Sequence, residues 1–247
     1  MCTLAVAWRT DRRWPIVVAA NRDERLRRAA EPWGLREHGL GPRYAAPLDR
    51  VGGGTWIGVS ARGVFAGLTN HHATEGGFPD PRRRSRGEIV VQALGHARAA
   101  EARAAFAVAD AARYNPFHLL VADAEAAFLW LYDGAETALI DLGPGLHVVT
   151  EQDAEGRGAR GDFVRSRWPI DSDLARLREL LAHHAPSPRE AVCIHLDERD
   201  YGTRSSSVIR LAPSLQASEL WVSEGRPCTT PFDDRSQLLA DLARKGL

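Results

Sequence analysis

Short apolar runs separated by polar turns fill most of the chain, and several of them alternate with a period of two. In the first run, residues 3–8, the larger apolar side chains stand at the even-numbered positions, which predicts a β-strand with one apolar face. After the polar turn 9–13, the apolar run 14–20 predicts the second strand of a hairpin. The same pattern predicts strands at 55–60, 64–69, 117–122, 127–132, 137–142, 147–150, 205–211 and 219–223.

Four further segments predict helices. Residues 85–88 (SRGE) have the pattern of a capping box and precede apolar residues at helical spacing. The other helices are predicted at 97–112, 173–184 and 236–244. The polar segment 151–167 predicts a loop. Because no repeat or low-complexity tract divides the sequence, we expect one domain over residues 1–247, of mixed α/β or α+β class with mainly antiparallel strands.

Composition then limits the partners. The 247 residues carry 32 basic and 32 acidic side chains, a balance that argues against nucleic-acid and anionic-membrane binding. No apolar run approaches the ~20 residues that span a bilayer, and no signal peptide is recognised. Three cysteines without a CxxC pair favour a reduced, cytoplasmic protein. The oligomeric state cannot be read from these features.

Several patterns that often mark cofactor or metal sites do not fit. The glycines at 52–54 precede a strand, and Ile57 stands where a dinucleotide fingerprint needs its third glycine. The adjacent histidines at 71–72 and 183–184 point apart, so neither pair is expected to bind a metal. Cys193 is expected to be a buried small apolar residue and Cys228 a turn residue. The sequence therefore predicts no cofactor and no metal ion.

The cysteine at position 2 stands out because it directly follows the initiator methionine. Methionine before a small residue is commonly removed during synthesis, which would leave Cys2 with a thiol and a free α-amine. Their reference pKa values are about 8.5 and about 7.7–8.0, so the amine can accept the thiol proton near neutral pH. An N-terminal nucleophile activated by its own amine is a known arrangement. The alternative is an ordinary strand residue of the same parity as Leu4.

The first hairpin brings a polar tetrapeptide, residues 21–24 (NRDE), next to this cysteine. A turn centred between residues 11 and 12 pairs Cys2 with Asn21, and a shift of one residue pairs it with residue 20 or 22. Asp23 could then hold the α-ammonium or orient the amine. Arg22 could lower the pKa of the thiol or bind a substrate carboxylate. The alternative is a polar loop that follows a strand.

Five segments together resemble one protein family. Residues 1–3 (MCT) followed by 21–24 (NRDE) are similar to the NRDE family, which is the family of the transport and Golgi organisation proteins. Three later segments fit the same family, so the resemblance runs from residue 1 to about residue 211. These are 53–58 (GGTWIG), 67–71 (GLTNH) and 201–207 (YGTRSSS).

The resemblance implies an α+β N-terminal-nucleophile hydrolase fold, a four-layer αββα sandwich with two mainly antiparallel sheets. Penicillin V acylase and bile salt hydrolase are similar in architecture and cut amide bonds with an N-terminal cysteine. By this resemblance Asp23 matches their early active-site Asp, Asn70 matches an Asn of the oxyanion hole, and Arg204 matches a late active-site Arg.

Two positions depart from the pattern of those hydrolases. Ala20 stands where they carry an Arg, so Arg22 is displaced from that position. Glu151 follows the strand after which they carry an Asn. A Glu cannot donate to an oxyanion unless it is protonated, and loss of one such donor can cost about 10²–10³ in rate.

The sequence supports two hypotheses from different classes. The first is a cytoplasmic hydrolase of C–N amide bonds in a small molecule, with Cys2 as the nucleophile. Asp23 would orient the amine with support from Asn21. Asn70 would stabilise the oxyanion, and Arg204 would balance charge or bind the substrate. The second is a non-catalytic protein that binds or traffics a lipid or haem on the same fold. A Cys2→Ala variant separates the two hypotheses.

Overall fold

A computed structural model describes residues 2–37, 39, 41–71 and 79–245. This part of the chain groups into two compact units, each built on one seven-stranded sheet. The first unit comprises the chain up to Arg28 together with Pro144–Leu239, and the second comprises Ala29–Gly143 and the segment after residue 239. A single domain over residues 1–247 stays a prediction.

The sheet of the first unit contains the start of the chain. Its strands, numbered along the whole chain, are β1 (Thr3–Trp8), β2 (Ile16–Arg25), β10 (Gly145–Thr150), β11 (His195–Leu196), β12 (Tyr201–Leu211), β13 (Glu219–Ser223) and β14 (Asp233–Asp234). Their order is β10-β1-β2-β12-β13-β14, with β11 beside β12, and all pairings are antiparallel. Because β1 lies between β2 and β10, residues from both neighbours surround the chain start.

Helices α3 (Ala159–Arg167) and α4 (Leu174–Leu181) supply the core of this unit with apolar side chains. The leucines of α4 follow helical spacing, so they form one apolar face. This face packs against odd-numbered residues of β1 and β2, which point to one side of the sheet. The core cluster is Ala5, Ala7, Trp14, Val17, Ala19, Val148, Val164, Leu177, Leu180, Leu181, Val192 and Val208. A last helix, α5 (Ser236–Lys245), begins at the end of this unit.

The sheet of the second unit is an antiparallel meander in chain order. Its strands are β3 (Ala30–Arg36), β4 (Tyr44–Asp49), β5 (Ile57–Ser60), β6 (Phe65–Asn70), β7 (Phe117–Ala122), β8 (Ala127–Tyr132) and β9 (Thr137–Asp141). Helices α1 (Gly87–Leu94) and α2 (Ala99–Phe106) come between β6 and β7 and share one core cluster with the sheet. In that core the Phe106 and Trp130 rings stack with centroids 4.5 Å apart.

The glycine cluster before β5 allows a close approach of two backbones. Gly54 has φ +73°, and a Cβ there would lie 2.4 Å from the carbonyl carbon of Gly87 at the start of α1. Ser85 donates to the Gly53 carbonyl at 3.2 Å, which fixes the same contact. These glycines therefore serve packing between a loop and a helix start.

The predicted α+β class with two antiparallel sheets is confirmed, and four strands have exactly the expected bounds. The main error is the segment 151–167, expected to be a loop, which contains α3. Its helix start is a glycine with φ +99° and no side-chain cap, so the usual sequence signal is missing. The helix expected at 97–112 is shorter, because α2 ends at Phe106. Among the described residues, no helix has the length and apolar content needed to cross a bilayer.

Candidate active site

The NRDE tetrapeptide lies inside β2 and is not a loop after a strand. This part of β2 stays extended because β12 pairs with it as far as Arg25. The register of the first hairpin pairs Thr3 with Asn21, one residue away from the expected pairing of Cys2 with Asn21. Continued by one residue, it sets Cys2 opposite Arg22, which is one of the two alternatives that a shifted turn allowed.

The Cys2 backbone nitrogen and thiol contact two acidic residues. Its nitrogen, an amide in the unprocessed chain, donates to Glu151 Oε2 at 3.1 Å. Its thiol donates to the backbone carbonyl of Asp23 at 3.7 Å. Burial raises the pKa of the Cys2 thiol to about 11; the positive chain terminus opposes this shift, and the charges of Asp23 and Glu151 add to it. The thiol is therefore protonated at neutral pH and needs a base before it can attack a carbonyl.

Asp23 is a buried carboxyl with only one oxygen satisfied. Its Oδ1 accepts from the Thr203 hydroxyl at 2.6 Å, while Oδ2 is buried without a hydrogen-bond partner in the described part of the chain. Burial raises the pKa of Asp23 to about 7, although the chain terminus, Thr203 and Arg160 favour the charged form. The charge of this group therefore changes close to neutral pH.

Glu151 and Arg160 form a buried ion pair beside Cys2. Arg160 Nη1 donates to Glu151 Oε2 at 3.0 Å, and both side chains are almost fully buried. Arg160 also donates to the carbonyls of Pro188 and Arg189, which fixes the guanidinium. Because Arg160 comes from α3, that helix places the positive charge that a buried carboxylate requires.

The Asn21 side chain forms hydrogen bonds to three other parts of the first unit. Its Nδ2 donates to the carbonyls of Leu181 and Val192, both at 2.9 Å. Its Oδ1 accepts from the Ser206 hydroxyl at 2.6 Å. With both ends of the amide engaged, Asn21 holds β2 against the end of α4 and the segment before β11.

The two arginines proposed from the sequence take different positions. Arg22 alternates to the opposite face of β2 from Asn21 and Asp23, and its guanidinium lies 4.0 Å from Glu24. Arg204 lies at the point where the register between β12 and β2 shifts. Its guanidinium donates to the backbone carbonyls of Leu26 and Arg25.

Asn70 belongs to the second unit. It is the last residue of β6, where it pairs with Phe117 of β7, and it is half-buried. Its expected role at an oxyanion stays a prediction. Of the histidine pair that follows, His71 is described and its ring centroid lies 4.6 Å from that of His118, whereas His72 lies outside the described residues.

Sequence reasoning missed four residues that hold this site. The role of Arg160 could not be predicted, because the polar segment that contains it gives no sign of a helix. Tyr201, Thr203 and Ser206 bind Asp23 or Asn21 through their hydroxyls. The last three lie within the family-like segment 201–207, and their placement follows from the pairing of β12 with β2. The resemblance could have indicated the segment, but not which carboxyl or amide each hydroxyl meets.

The family model described as "Transport and Golgi organisation 2" matches residues 1–219. The chain belongs to this family. A Bos taurus transport and Golgi organization protein 2 homolog is 31% identical over 237 residues, covering 78% of this chain and 81% of that protein. The matched range contains Cys2, Glu151, Arg160 and the NRDE tetrapeptide, so the site lies within the Transport and Golgi organisation 2 region.

Solved structures show the fold of this family member. The Caenorhabditis elegans ortholog of N-acylethanolamine-hydrolyzing acid amidase has a TM-score of 0.61 at 15% identity, covering 85% of this chain and 92% of its own. A mutant conjugated bile acid hydrolase from Clostridium perfringens has a TM-score of 0.62 at 10% identity, covering 97% and 94%. Penicillin V acylase from Agrobacterium tumefaciens has a TM-score of 0.52 at 14% identity, covering 99% and 89%. The expected N-terminal-nucleophile hydrolase fold is thereby confirmed.

Proposed function

We propose that this chain is an N-terminal-cysteine hydrolase that cleaves a C–N amide bond of a small molecule in the cytoplasm. Removal of Met1 frees the Cys2 amine, which accepts the thiol proton. The thiolate attacks the substrate carbonyl, the amine group of the substrate leaves with a proton, and water releases the acyl group from the sulfur. These steps use no cofactor. The names of the similar structures, an amidase, a bile acid hydrolase and an acylase, support this reaction class.

The observation that carries the proposal is the 3.1 Å contact from the Cys2 nitrogen to Glu151 Oε2. Once Met1 is removed, this nitrogen is the α-amine. Transfer of the thiol proton to it creates an ammonium, and a carboxylate at this distance favours that charged form. Glu151 therefore favours a proton on the amine, although its charge also raises the pKa of the thiol, and its partner Arg160 limits the negative charge that the new thiolate would meet.

Two incomplete carboxyl groups fit the same chemistry. Asp23 Oδ2 and Glu151 Oε1 are buried without a hydrogen-bond partner in the described structure. A buried acceptor without a donor costs about 1–3 kcal/mol. An α-ammonium has more N–H donors than the amide it replaces, so removal of Met1 adds donors next to residues that lack them. We therefore assign Glu151 and Asp23 to holding the amine, with Asn21 as their scaffold.

The remaining roles rest on the resemblance. Arg22 and Arg204 are proposed to bind substrate or to balance charge, and Asn70 is proposed to stabilise the oxyanion. The Glu151 carboxylate in place of an Asn removes one side-chain donor, so the proposed oxyanion site relies more on backbone N–H groups.

Intact-mass measurement and turnover of N-acyl amides together test the proposal. We expect the purified chain to lack Met1 and to hydrolyse at least one member of a panel with aliphatic and aromatic acyl groups. Cys2→Ala should abolish turnover while its unfolding transition stays cooperative. Retained Met1 in an active protein, or full turnover by Cys2→Ala, would contradict the mechanism.

A non-catalytic binding protein is the second candidate, and a cleft in the first unit favours it. This cleft of about 800 Å³ is lined by residues of α3, of α4 and of the segment between them, and none of the residues assigned to catalysis lines it. Its lining combines apolar side chains such as Phe163 and Trp168 with charged side chains of both signs, Arg167, Asp171, Arg176 and Glu179. Ligand binding that survives Cys2→Ala, in a chain without turnover, would favour this role over hydrolysis.

A further inference from the structure

Four metal-binding side chains converge outside the candidate active site. His184, Cys193, His195 and Cys228 each offer one ligand atom, and these atoms lie within 4.8 Å of one another. The Cys193 Sγ lies 3.6 Å from both Cys228 Sγ and His195 Nε2, and His195 Nε2 lies 3.2 Å from Cys228 Sγ. We propose that these residues form a Cys₂His₂ site for one zinc ion.

The spacing agrees with tetrahedral zinc coordination. Bond lengths of about 2.3 Å to sulfur and about 2.0–2.1 Å to nitrogen set the sulfur atoms about 3.8 Å apart and sulfur about 3.6 Å from nitrogen. The separations between Cys193, His195 and Cys228 are within a few tenths of an ångström of these values. Two thiolates and two imidazoles favour zinc over the oxygen-seeking ions magnesium and calcium.

The fold brings the ligands together from three separate segments of the first unit. The His183 carbonyl accepts from the backbone N–H groups of Val192 and Cys193, which holds the residue after it, His184, near Cys193. His195 begins β11 and is held by pairing with β12. Cys228 lies in a turn closed by two N–H groups that donate to the Arg226 carbonyl. The sequence predicts no metal site, because the adjacent histidines point apart and the four ligands do not have a zinc-finger spacing.

Zinc binding would change the protonation of His195, Cys193 and Cys228. Without metal, the geometry lets His195 Nε2–H donate to the Cys228 sulfur while Nδ1 accepts from Arg226 at 3.3 Å. Binding through Nε2 leaves the imidazole proton on Nδ1, so Arg226 must turn away to Asp197, to which it is already paired. The thiols of Cys193 and Cys228 release two protons, and the zinc complex with two thiolates and two neutral imidazoles has no net charge.

A site with four protein ligands has no open position, so its role is structural. It also supports the residues next to Cys2. Ile194, between two ligands, exchanges hydrogen bonds with Thr203: its N–H donates to the Thr203 hydroxyl and its carbonyl accepts the Thr203 N–H, both at 2.9 Å. The same hydroxyl donates to Asp23 at 2.6 Å. Zinc therefore stabilises the segment that holds Asp23, whether or not the chain hydrolyses amides.

Elemental analysis and native mass spectrometry of the full chain, purified with a reductant, test the site. We expect one zinc per chain, and a visible spectrum typical of tetrahedral thiolate coordination when cobalt(II) replaces it. Chelation should lower Tm by several degrees, because a ligand that binds only the folded state stabilises that state.

His184→Ala and Cys228→Ser should each weaken zinc binding at least tenfold. His183→Ala is the matched control: it removes a histidine one position away whose ring stacks on Phe163, and zinc should remain bound. Cys2→Ala should also keep its zinc. The proposal is overturned if the reduced chain does not bind zinc, if His184→Ala and His183→Ala retain it equally, or if the freshly purified chain contains a Cys193–Cys228 disulfide.

Discussion

Replacement of Asp23 by Asn tests the most unusual group in the candidate active site. The carboxyl is 3% exposed, and burial raises its pKa from 3.8 to about 7. Asn has nearly the same shape and keeps an oxygen that can accept from Thr203, but it never carries a charge. Asp23→Asn therefore removes the titration and preserves the one hydrogen bond that this carboxyl makes.

The sign of the effect follows from the raised pKa. Between pH values of about 4 and about 7, folded Asp23 holds a proton that the unfolded chain has released, so stability falls as the pH rises. This contribution is fully present below the unfolded pKa and is lost as the pH passes the folded one. Between pH 5 and pH 8 the loss amounts to about 3 kcal/mol, at about 1.4 kcal/mol per pKa unit. The free energy of unfolding of Asp23→Asn, minus that of the parent, should rise by this amount.

Urea unfolding at pH 5 and pH 8 measures this difference. The chain should keep a residue before Cys2, because a free ammonium there would lower the Asp23 pKa and make the effect smaller. Asp162→Asn, at a side chain that is 72% exposed, is the control and should show almost the same difference at both pH values. A constant difference between Asp23→Asn and the parent would refute a proton held on Asp23 in the folded protein.

Three further variants test the surroundings of Cys2. Glu151→Gln removes the carboxylate that pairs with the buried Arg160, so the free energy of unfolding should fall by about 3–5 kcal/mol. A double variant with Arg160→Met should restore part of this loss. Asn21→Ala leaves two buried carbonyls without a donor and should cost about 2–4 kcal/mol in unfolding experiments. In the processed chain, iodoacetamide should alkylate Cys2 much faster than in a form with one extra N-terminal residue. In that longer form, a thiol pKa of about 11 leaves about one thiol in ten thousand ionised at pH 7. Equal alkylation rates, measured by mass spectrometry, would show that the amine does not act as the base.

Several strands that are buried along almost their whole length could be predicted from the sequence. In 3–8, 117–122 and 127–132 the apolar residues are bounded by clear turn residues, and the observed bounds are the predicted ones. Two strands of the second sheet, β3 and β4, were missed. β3 has no fully buried residue and contains Pro32, so neither an apolar run nor strict alternation marks it.

The NRDE segment of the candidate active site could be located in the sequence, but its conformation could not be predicted. The polar residues 21–24 look like the end of a strand, because local sequence shows no reason to keep four polar residues extended. That reason is the pairing of this segment with β12, which is distant in the sequence. The hydroxyls of Thr203 and Ser206 then donate to one oxygen each of Asp23 and Asn21, which helps the polar residues of both strands to be buried.

The buried Glu151 and the helix α3, which the sequence did not predict, have a common physical cause. Glu151 is fully buried, and the segment after it is too polar to predict a helix. A carboxylate that is fully buried needs a cation and further donors, and these must come from nearby elements. Arg160 supplies the cation because α3 turns its side chain inward, so the helix buries an arginine where an amphipathic helix would bury a leucine. The buried Glu151 therefore requires the arginine of the polar helix that follows, and Glu151 and Arg160 act as one unit that positions the Cys2 nitrogen.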